Sequence, residues 1–312
     1  MSFSKYTIVC LTVLLLAGAG QTATALAASP GLVSSPKGAG WTGLTYTHSK
    51  MLGKLTVQIQ IQAPATDTLL KRMGAGLAES SEAAKKMKLM AVDMRAEGLA
   101  FVDEQYTEKI WFNAADGRAY RRIRWLKGGD PWVKIYSWTE KGVRRQMIQP
   151  VGRDERNQDP IQWTKTTESF YPYPKDTVYP EVISDPTLLL YLLSVREAPE
   201  LNSPFELRVF GKQQLHRLTC RPEKSSPMTV SYRAHSSSGV VEVNTTITPL
   251  VFSVEAESSA PRDRNPERFS LLGLQKDIRI YLDPSTHLPI RVSGRNAIWG
   301  ELILELRDAQ WN

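Results

Sequence analysis

The sequence predicts a mainly β protein: one strongly curved antiparallel sheet, or half-open β-barrel, with one buried helix on its concave face. Apolar and polar residues alternate strictly in several segments, as where Ile278, Ile280 and Leu282 share one side. A period of two is typical of a half-buried strand. Short turns rich in Gly, Asp, Pro and Ser separate these segments, which indicates hairpins and not crossover units. Roughly ten or more strands are many for one sheet and favour curling.

The first 27 residues have the pattern of a secretory signal peptide. Lys5 is the only charged residue in 1–27, residues 8–17 are apolar, and Ala25-Leu26-Ala27 is a small-x-small cleavage signal. The apolar run is too short to span a bilayer, although an uncut N-terminal anchor is the alternative. No later stretch is long and apolar enough for a membrane helix. We therefore expect an exported, periplasmic protein that is not transmembrane.

Residues 54–312 are expected to form a single β domain that follows a flexible arm over 28–53. The arm is rich in Gly, Ser and Pro, which favour irregular structure. The first clean strand begins at Leu55, after which apolar and polar residues alternate as far as Ile61.

Two segments interrupt the strands. Residues 67–90 are rich in Ala, Leu, Glu, Lys and Met, which predicts a helical insertion capped by Asp67. We expect this helix to cover an open end of the sheet; a mobile lid or a membrane-touching segment is the alternative. Residues 150–180 carry several prolines and predict a long irregular loop, either functional or wrapped around the edge of the core.

One helix is predicted over 186–196. Asp185 caps it and Pro186 occupies its first turn. Leu189 and Leu192 belong to a broad apolar stripe along this helix. A helix this apolar must be buried against a sheet or inside the mouth of a barrel.

Composition and motifs argue against most kinds of chemistry. The formal charge of +7 falls to +6 without Lys5, and acids lie among the bases along the chain. This pattern indicates a solvated surface more than a polyanion-binding patch, and nucleic acid is not an expected partner. The four histidines are scattered and only Cys220 remains after removal of the predicted signal peptide, so we expect no metal and no cofactor. Cys220 suits a buried structural thiol better than a nucleophile.

No catalytic motif is present either. The sequence has no Gly-x-Ser-x-Gly elbow, no phosphate-binding loop and no dinucleotide fingerprint. We therefore expect that the protein is not an enzyme.

Aromatic residues around one predicted strand form the candidate binding surface. Trp132, Tyr136 and Trp138 fall on one face of that strand, and tryptophan faces can stack sugar rings or line a lipid cavity. The alternative is ordinary sheet packing, because aromatic residues favour strands and the stems of Lys and Arg cover them. Basic residues suited to an anionic headgroup are Arg121, Arg122, Arg124 and Lys134. The candidate ligand-binding residues are Trp111, Trp125, Trp132, Tyr136, Trp138, Leu189 and Leu192.

Two motifs carry a family resemblance. Residues 185–196 read Asp-Pro-Thr-Leu-Leu-Leu-Tyr-Leu-Leu-Ser-Val-Arg, and residues 280–292 read Ile-Tyr-Leu-Asp-Pro-Ser-Thr-His-Leu-Pro-Ile-Arg-Val. They resemble the helix and the closing hairpin of an uncharacterised family of Gram-negative periplasmic proteins of unknown function. That family is similar in fold to the periplasmic lipoprotein carriers, whose curved, half-closed sheet holds a helix across an apolar concave face. The resemblance implies an architecture and a compartment, and no catalytic residues.

These observations lead to one expected function and two alternatives. We expect a binding or carrier protein for an apolar or amphipathic cell-envelope molecule, a lipid or a lipoprotein, because a curved sheet leaves a concave apolar face. One alternative is a structural or interaction component of an envelope assembly, which docks an envelope protein on an exposed edge strand or on the loop 150–180. The other is a glycan-binding module that uses Trp132 and Trp138.

Overall fold

The computed structural model describes residues 39–50, 53–64, 87–97, 104–175, 182–197, 200–258 and 269–311. These ranges are mainly β, as the alternation predicts. The strands are β1 Trp41–Lys50, β2 Gly53–Gln62, β3 Met87–Glu97, β4 Glu104–Asn113, β5 Ala119–Lys127, β6 Trp132–Trp138, β7 Gly142–Gln149, β8 Lys165–Pro172, β9 Ile183–Ser184, β10 Phe205–Phe210, β11 Leu215–Glu223, β12 Met228–Ser236, β13 Gly239–Ile247, β14 Leu250–Ser258, β15 Lys276–Leu282, β16 Pro289–Asn296 and β17 Gly300–Trp311. The helical elements are α1 Arg153–Arg156, α2 Leu189–Ser194 and 3-10 turns at Pro160–Gln162, Pro186–Leu188 and Glu200–Asn202.

Antiparallel neighbours build most of the sheet. From β1 to β8, each strand pairs with the next one along the chain. The other edge of β1 pairs with β17, from which the order continues through β16, β15, β14, β11 and β10. The short β9 adds to β10 in parallel. Strands β1 and β17 therefore join the N-terminal and C-terminal parts of the sheet.

The hairpin of β12 and β13 departs from this order. Strand β12 pairs in parallel with the last part of β17, at Arg233–Asp308, Ala234–Ala309 and His235–Gln310. The first part of the same edge of β17 pairs with β16, so the sheet forks at β17. Among the described strands, β13 pairs with β12 alone. The sheet is consequently open, and its end strands in the described ranges are β8, β9 and β13.

Side chains bring two of these ends together. The ring of Phe210, at the end of β10, lies 6.1 Å from the ring of Tyr136, 6.1 Å from that of Trp138 and 5.6 Å from that of Tyr171, centroid to centroid. Tyr136 and Trp138 belong to β6, and Tyr171 belongs to β8. The region around β6–β8 thus meets the region around β9–β10 through an aromatic cluster.

Helix α2 packs in the main core of the sheet. Its residues Leu189, Leu190 and Leu193 are fully buried among side chains of β1, β2 and the C-terminal strands. The indole Nε1 of Trp41 donates a hydrogen bond to Ser194 Oγ at 3.0 Å. The Tyr191 hydroxyl donates to the Ala114 carbonyl at 3.0 Å. The buried helix is confirmed, but its first turn, Pro186–Leu188, is 3-10 and the α-helical part ends at Ser194, before the predicted end at 196.

The structure differs from two predicted segments at their C-terminal ends. Residues 41–50 of the predicted arm 28–53 form β1, where Trp41, Leu44 and Tyr46 are buried. Glycine and threonine between these side chains obscured the strand pattern. The predicted insertion 67–90 ends earlier, because β3 begins at Met87 and pairs with β2. Its other residues up to 86, like the predicted signal peptide 1–27, lie outside the described residues.

The predicted loop 150–180 also contains regular structure. It holds α1, one 3-10 turn and the eight-residue strand β8. Six of the eight residues of β8 are exposed, so both of its faces are largely exposed. An edge strand of this kind has little alternation, which is the signal that sequence reasoning depends on.

Candidate functional site

The structure divides the candidate aromatic residues between the two faces of the sheet. Trp125 on β5 lies opposite Val133 in the register, so it shares a face with Val133 and not with its neighbour Trp132. Trp111 is fully buried, and it packs with Trp125 and Trp163 in a separate small cluster. These tryptophans belong to sheet packing on the face opposite to Trp132, Tyr136 and Trp138.

The two candidate leucines of the helix, Leu189 and Leu192, pack in different places. Leu189 is fully buried in the main core. Leu192 is partly buried and packs against the turn after β4, where a Cβ atom added to Gly117 would lie 2.6 Å from it. Neither residue lies in the wall of the cavities described below.

Tyr136 and Trp138 lie beside a group of buried charges. The Arg122 guanidinium stacks over the Tyr136 ring at 4.1 Å and over the Trp138 ring at 5.5 Å from the ring centroids. Trp132 lies further along the same face, with its ring 6.4 Å from that of Tyr106 and the Lys134 ammonium 3.9 Å from its centroid. Part of the predicted aromatic face is therefore occupied by the protein's own cations.

We call the group of Glu108, Arg122, Arg124 and Asp185 the charged clasp. Arg122 Nη1 donates to Asp185 Oδ2 at 2.5 Å, and Nη2 donates to the Gly211 carbonyl at 2.5 Å. Arg124 Nε lies 3.4 Å from Glu108 Oε1 and donates a hydrogen bond to the Tyr106 hydroxyl. The clasp joins β4 and β5 to the start of the helix and to the turn after β10.

Burial sets the electrostatics of the clasp. Loss of water raises the pKa of Glu108 above its ordinary value, although attraction to Arg124 opposes the shift. Burial alone lowers the pKa of Arg122, but Asp185, Tyr136 and Glu108 together outweigh it and the net shift is upward. Burial likewise raises the pKa of Tyr106, so its hydroxyl is neutral when it accepts from Arg124. Both guanidinium groups are therefore charged, and Asp185 and Glu108 are the acidic groups that face them.

Asp185 has two roles that explain its complete burial. Its Oδ1 accepts the backbone N–H of Thr187 at 2.9 Å and so caps the helix, as predicted. Its Oδ2 accepts from Arg122 at the same time. Thr187 in turn donates from Oγ1 to Glu108 Oε2 at 3.2 Å. Sequence reasoning found the cap and the two arginines but missed Glu108 and the second role of Asp185.

A signal for the clasp is present in the strand alternation. Arg122 lies opposite Ile110 on one side and Tyr136 on the other, both fully buried. A charged residue on a face that its neighbours fill with apolar side chains needs a buried partner of opposite charge. Identifying that partner requires the pairing of strands that are distant in the sequence.

The cavities that border these residues are small. One of about 40 Å³ lies against the clasp, and another of about 90 Å³ lies in the fork between β12 and β17. Pockets for small organic ligands usually hold ~300–1,000 Å³. The clasp is suited to holding the sheet together.

No group of three or more His, Cys, Asp or Glu residues suited to a metal ion occurs in the described residues. Within these ranges no helix is long and apolar enough to cross a membrane.

A second feature, the outer edge of β13, is exposed. Seven of its nine residues are exposed, including Val240 at 59% and Val241 at 40%. The strand Gly-Val-Val-Glu-Val-Asn-Thr-Thr-Ile has six β-branched residues, no Lys, no Pro and one charge, Glu242. Native edge strands usually carry lysine, proline or a bulge that prevents further pairing. The edge of β13 lacks these protections.

Comparisons with known proteins give one structural likeness. No family model matches the chain, and no curated protein matches it. Among solved structures, the chain is similar to a crystal structure of a beta-barrel-like protein of the domain of unknown function DUF1849 from Brucella abortus. The two share 8% sequence identity with a TM-score of 0.40, over 87% of this chain and 96% of that chain. The expected similarity to the periplasmic lipoprotein carriers stays a prediction.

Proposed function

We propose that the protein is a non-enzymatic interaction component of a cell-envelope assembly, which binds a partner by adding a strand to the outer edge of β13. The observation that supports this is a nine-residue strand paired on one side among the described strands and exposed over most of its length. In such a strand, every second residue directs its N–H and C=O groups away from the neighbouring strand. Strand addition satisfies these groups, while side-chain pockets supply specificity.

The filled interior favours this proposal over the carrier function. Leu188, Leu189, Leu190 and Leu193 are fully buried, so the helix occupies the core where an apolar ligand is expected. The cavities of about 40 and 90 Å³ are too small for an acyl chain. The carrier function stays a prediction that requires the helix, or residues outside the described ranges, to move and open a space. The glycan-binding alternative also stays a prediction, because Lys134 covers part of Trp132.

The proposal includes a strongly curved sheet and a periplasmic location. A strongly curved sheet with the helix on its concave face accounts for two distant strands meeting at Phe210. Export by the predicted signal peptide 1–27 places the protein in the periplasm, where a partner strand from another envelope protein can reach β13.

Photo-crosslinking in intact cells tests the proposal. A benzophenone amino acid replaces Val240 on β13 and, as a matched control, Arg217, an exposed position on β11, which has a neighbouring strand on each edge. We expect one adduct of fixed mass from position 240 and none from position 217. Equal labelling at the two positions, or no adduct at any β13 position, contradicts strand addition at this edge.

A further inference from the structure

We infer that the strand added to β13 is β13 of a second copy of this chain, paired antiparallel about a two-fold axis at Val243. This inference rests on the proposed function, since it names the partner in strand addition. Identical chains related by a two-fold axis present the same patch to each other, so the edge must be complementary to itself. The sequence of β13 meets that condition.

One register uses the whole strand. Val243 is the midpoint of Gly239–Ile247, so an antiparallel pair centred there pairs all nine residues of each copy. It places Glu242 opposite Asn244 twice, and Val241 opposite Thr245 twice. No like charges lie directly opposite each other, whereas a pair centred on Glu242 would oppose two carboxylates. Cross-strand pairs of β-branched residues stabilise a sheet, and this register forms several.

The apolar side chains of β13 also gain cover from a second copy. Val241 lies opposite Ala234 and Val243 opposite Tyr232 in the hairpin. Ala234 is buried and Tyr232 packs against the main core, so the odd-numbered residues of β13 lie on the inner face of the hairpin. Val241 is nevertheless 40% exposed on that face. The second copy places its own Val241 and Val243 on the same side and extends the apolar face.

The other long edge lacks this complementarity. Strand β8 is Lys-Thr-Thr-Glu-Ser-Phe-Tyr-Pro, with Lys165, Glu168 and Pro172 on it. Lysine keeps an edge in water, and proline removes a backbone donor. An exposed residue of β8, Thr166, is therefore the control position for substitutions on β13.

Charge substitutions at Asn244 test the register in solution. Sedimentation velocity over a concentration series gives the dimer dissociation constant of the purified full-length mature protein. Asn244→Glu puts two like-charged pairs opposite each other and should raise the constant by roughly two- to thirty-fold; Asn244→Lys forms two opposite-charge pairs and should lower it by a similar factor. Asn244 and Glu242 are exposed, so these changes leave the core intact, although Glu242→Lys places a lysine opposite the exposed Arg233 within the hairpin. Glu242→Lys combined with Asn244→Glu should restore dimerisation, and Thr166→Glu should leave it unchanged.

A cysteine at the axis gives a second measurement. Opposed residues of an antiparallel pair have Cα atoms ~4.5–5.5 Å apart, within the range of a disulfide. Val243→Cys should form a covalent dimer under mild oxidation, while Thr166→Cys should not. Cys220 is buried and does not interfere.

The possible results separate the two proposals. A native protein that is monomeric at every concentration, with no covalent dimer from Val243→Cys, overturns the second-copy inference. If photo-crosslinking at position 240 then yields an adduct with a different protein, strand addition at β13 still holds. If neither experiment gives a product, both proposals fail.

Discussion

The ends of the sheet near Phe210 are covered by side-chain packing, whereas the edge at β13 is exposed. Around Phe210, the β6–β8 region and the β9–β10 region meet through aromatic packing, and the charged clasp lies beside the contact. At β13 the edge has no such cover among the described residues. Buried charged side chains thus help to join the β6–β8 region to the β9–β10 region, whereas the outer edge of β13 is left exposed. This difference is the basis of the proposal that the open edge of β13 binds a partner strand.

The largest expected effect comes from removing the centre of the clasp. Arg122→Met leaves Asp185 buried without its cationic partner and Glu108 with Arg124 alone, which should lower the free energy of unfolding by about 3–5 kcal/mol. Urea denaturation followed by tryptophan fluorescence measures the change. Arg221→Met, at an exposed ion pair with Glu255, is the control and should leave the midpoint nearly unchanged. An equal loss in both variants contradicts a special role for the clasp.

A smaller effect is expected at the turn that supports the joined ends. Gly117 has φ of +76°, and a Cβ atom there would lie 2.6 Å from Leu192. Its carbonyl accepts a hydrogen bond from Ser184 Oγ on β9 at 2.7 Å. Gly117→Ala should therefore cost about 1–3 kcal/mol through backbone strain and the contact with Leu192. Gly239 also has a positive φ, but a Cβ atom there would have no neighbour within 4 Å. Gly239→Ala therefore measures backbone strain without a new side-chain contact.

The pH dependence of stability should report the burial of Glu108. Its folded pKa is raised above 4.5, so near and above that pH the folded protein holds a proton more tightly than the unfolded chain. Stability contributed by this group must fall as pH rises through the folded pKa and recover as pH falls back toward 4.5. We expect Glu108→Gln to lack this component, seen by denaturation between pH 4.5 and pH 8. A difference between the two proteins that is constant with pH contradicts a raised pKa.

The smallest effect on stability is expected at the open edge. Val240 is exposed on β13, so Val240→Thr should change the free energy of unfolding by less than about 0.5 kcal/mol. The same denaturation experiment at low protein concentration measures it. A loss comparable to that of Arg122→Met would mean that Val240 is part of the core, and the comparison between joined and open edges would not hold.

The sequence predicted the strands that have one buried and one exposed face. The pattern of Ile278, Ile280 and Leu282 corresponds to β15, and the capped, apolar helix is buried as expected. Strand β8 was missed because both of its faces are largely exposed, so its residues do not alternate. Alternation of apolar and polar residues indicates a strand with one buried face, so it does not predict a strand whose two faces are both exposed.

The candidate site was only partly predictable for a related reason. Tyr136 and Trp138 share one face of β6, as the alternation predicts, whereas Trp111 lies on the opposite face of the sheet. Which face a residue shares with residues of the neighbouring strand depends on the register between the two strands, and the sequence of one strand alone does not reveal it. The clasp joins Arg122 to Asp185 across 63 residues of sequence. Such a contact follows from the topology of the sheet and not from a local motif.

Hydrogen exchange of the backbone amides tests the central claim most directly. The native protein and Asn244→Glu are compared at low and high concentration, with β8 as the internal reference. Pairing of β13 with a second copy predicts slower exchange of β13 amides in the concentrated native protein, with a smaller slowing in the variant and unchanged exchange in β8. Exchange of β13 that is equally fast in all four samples would contradict the account.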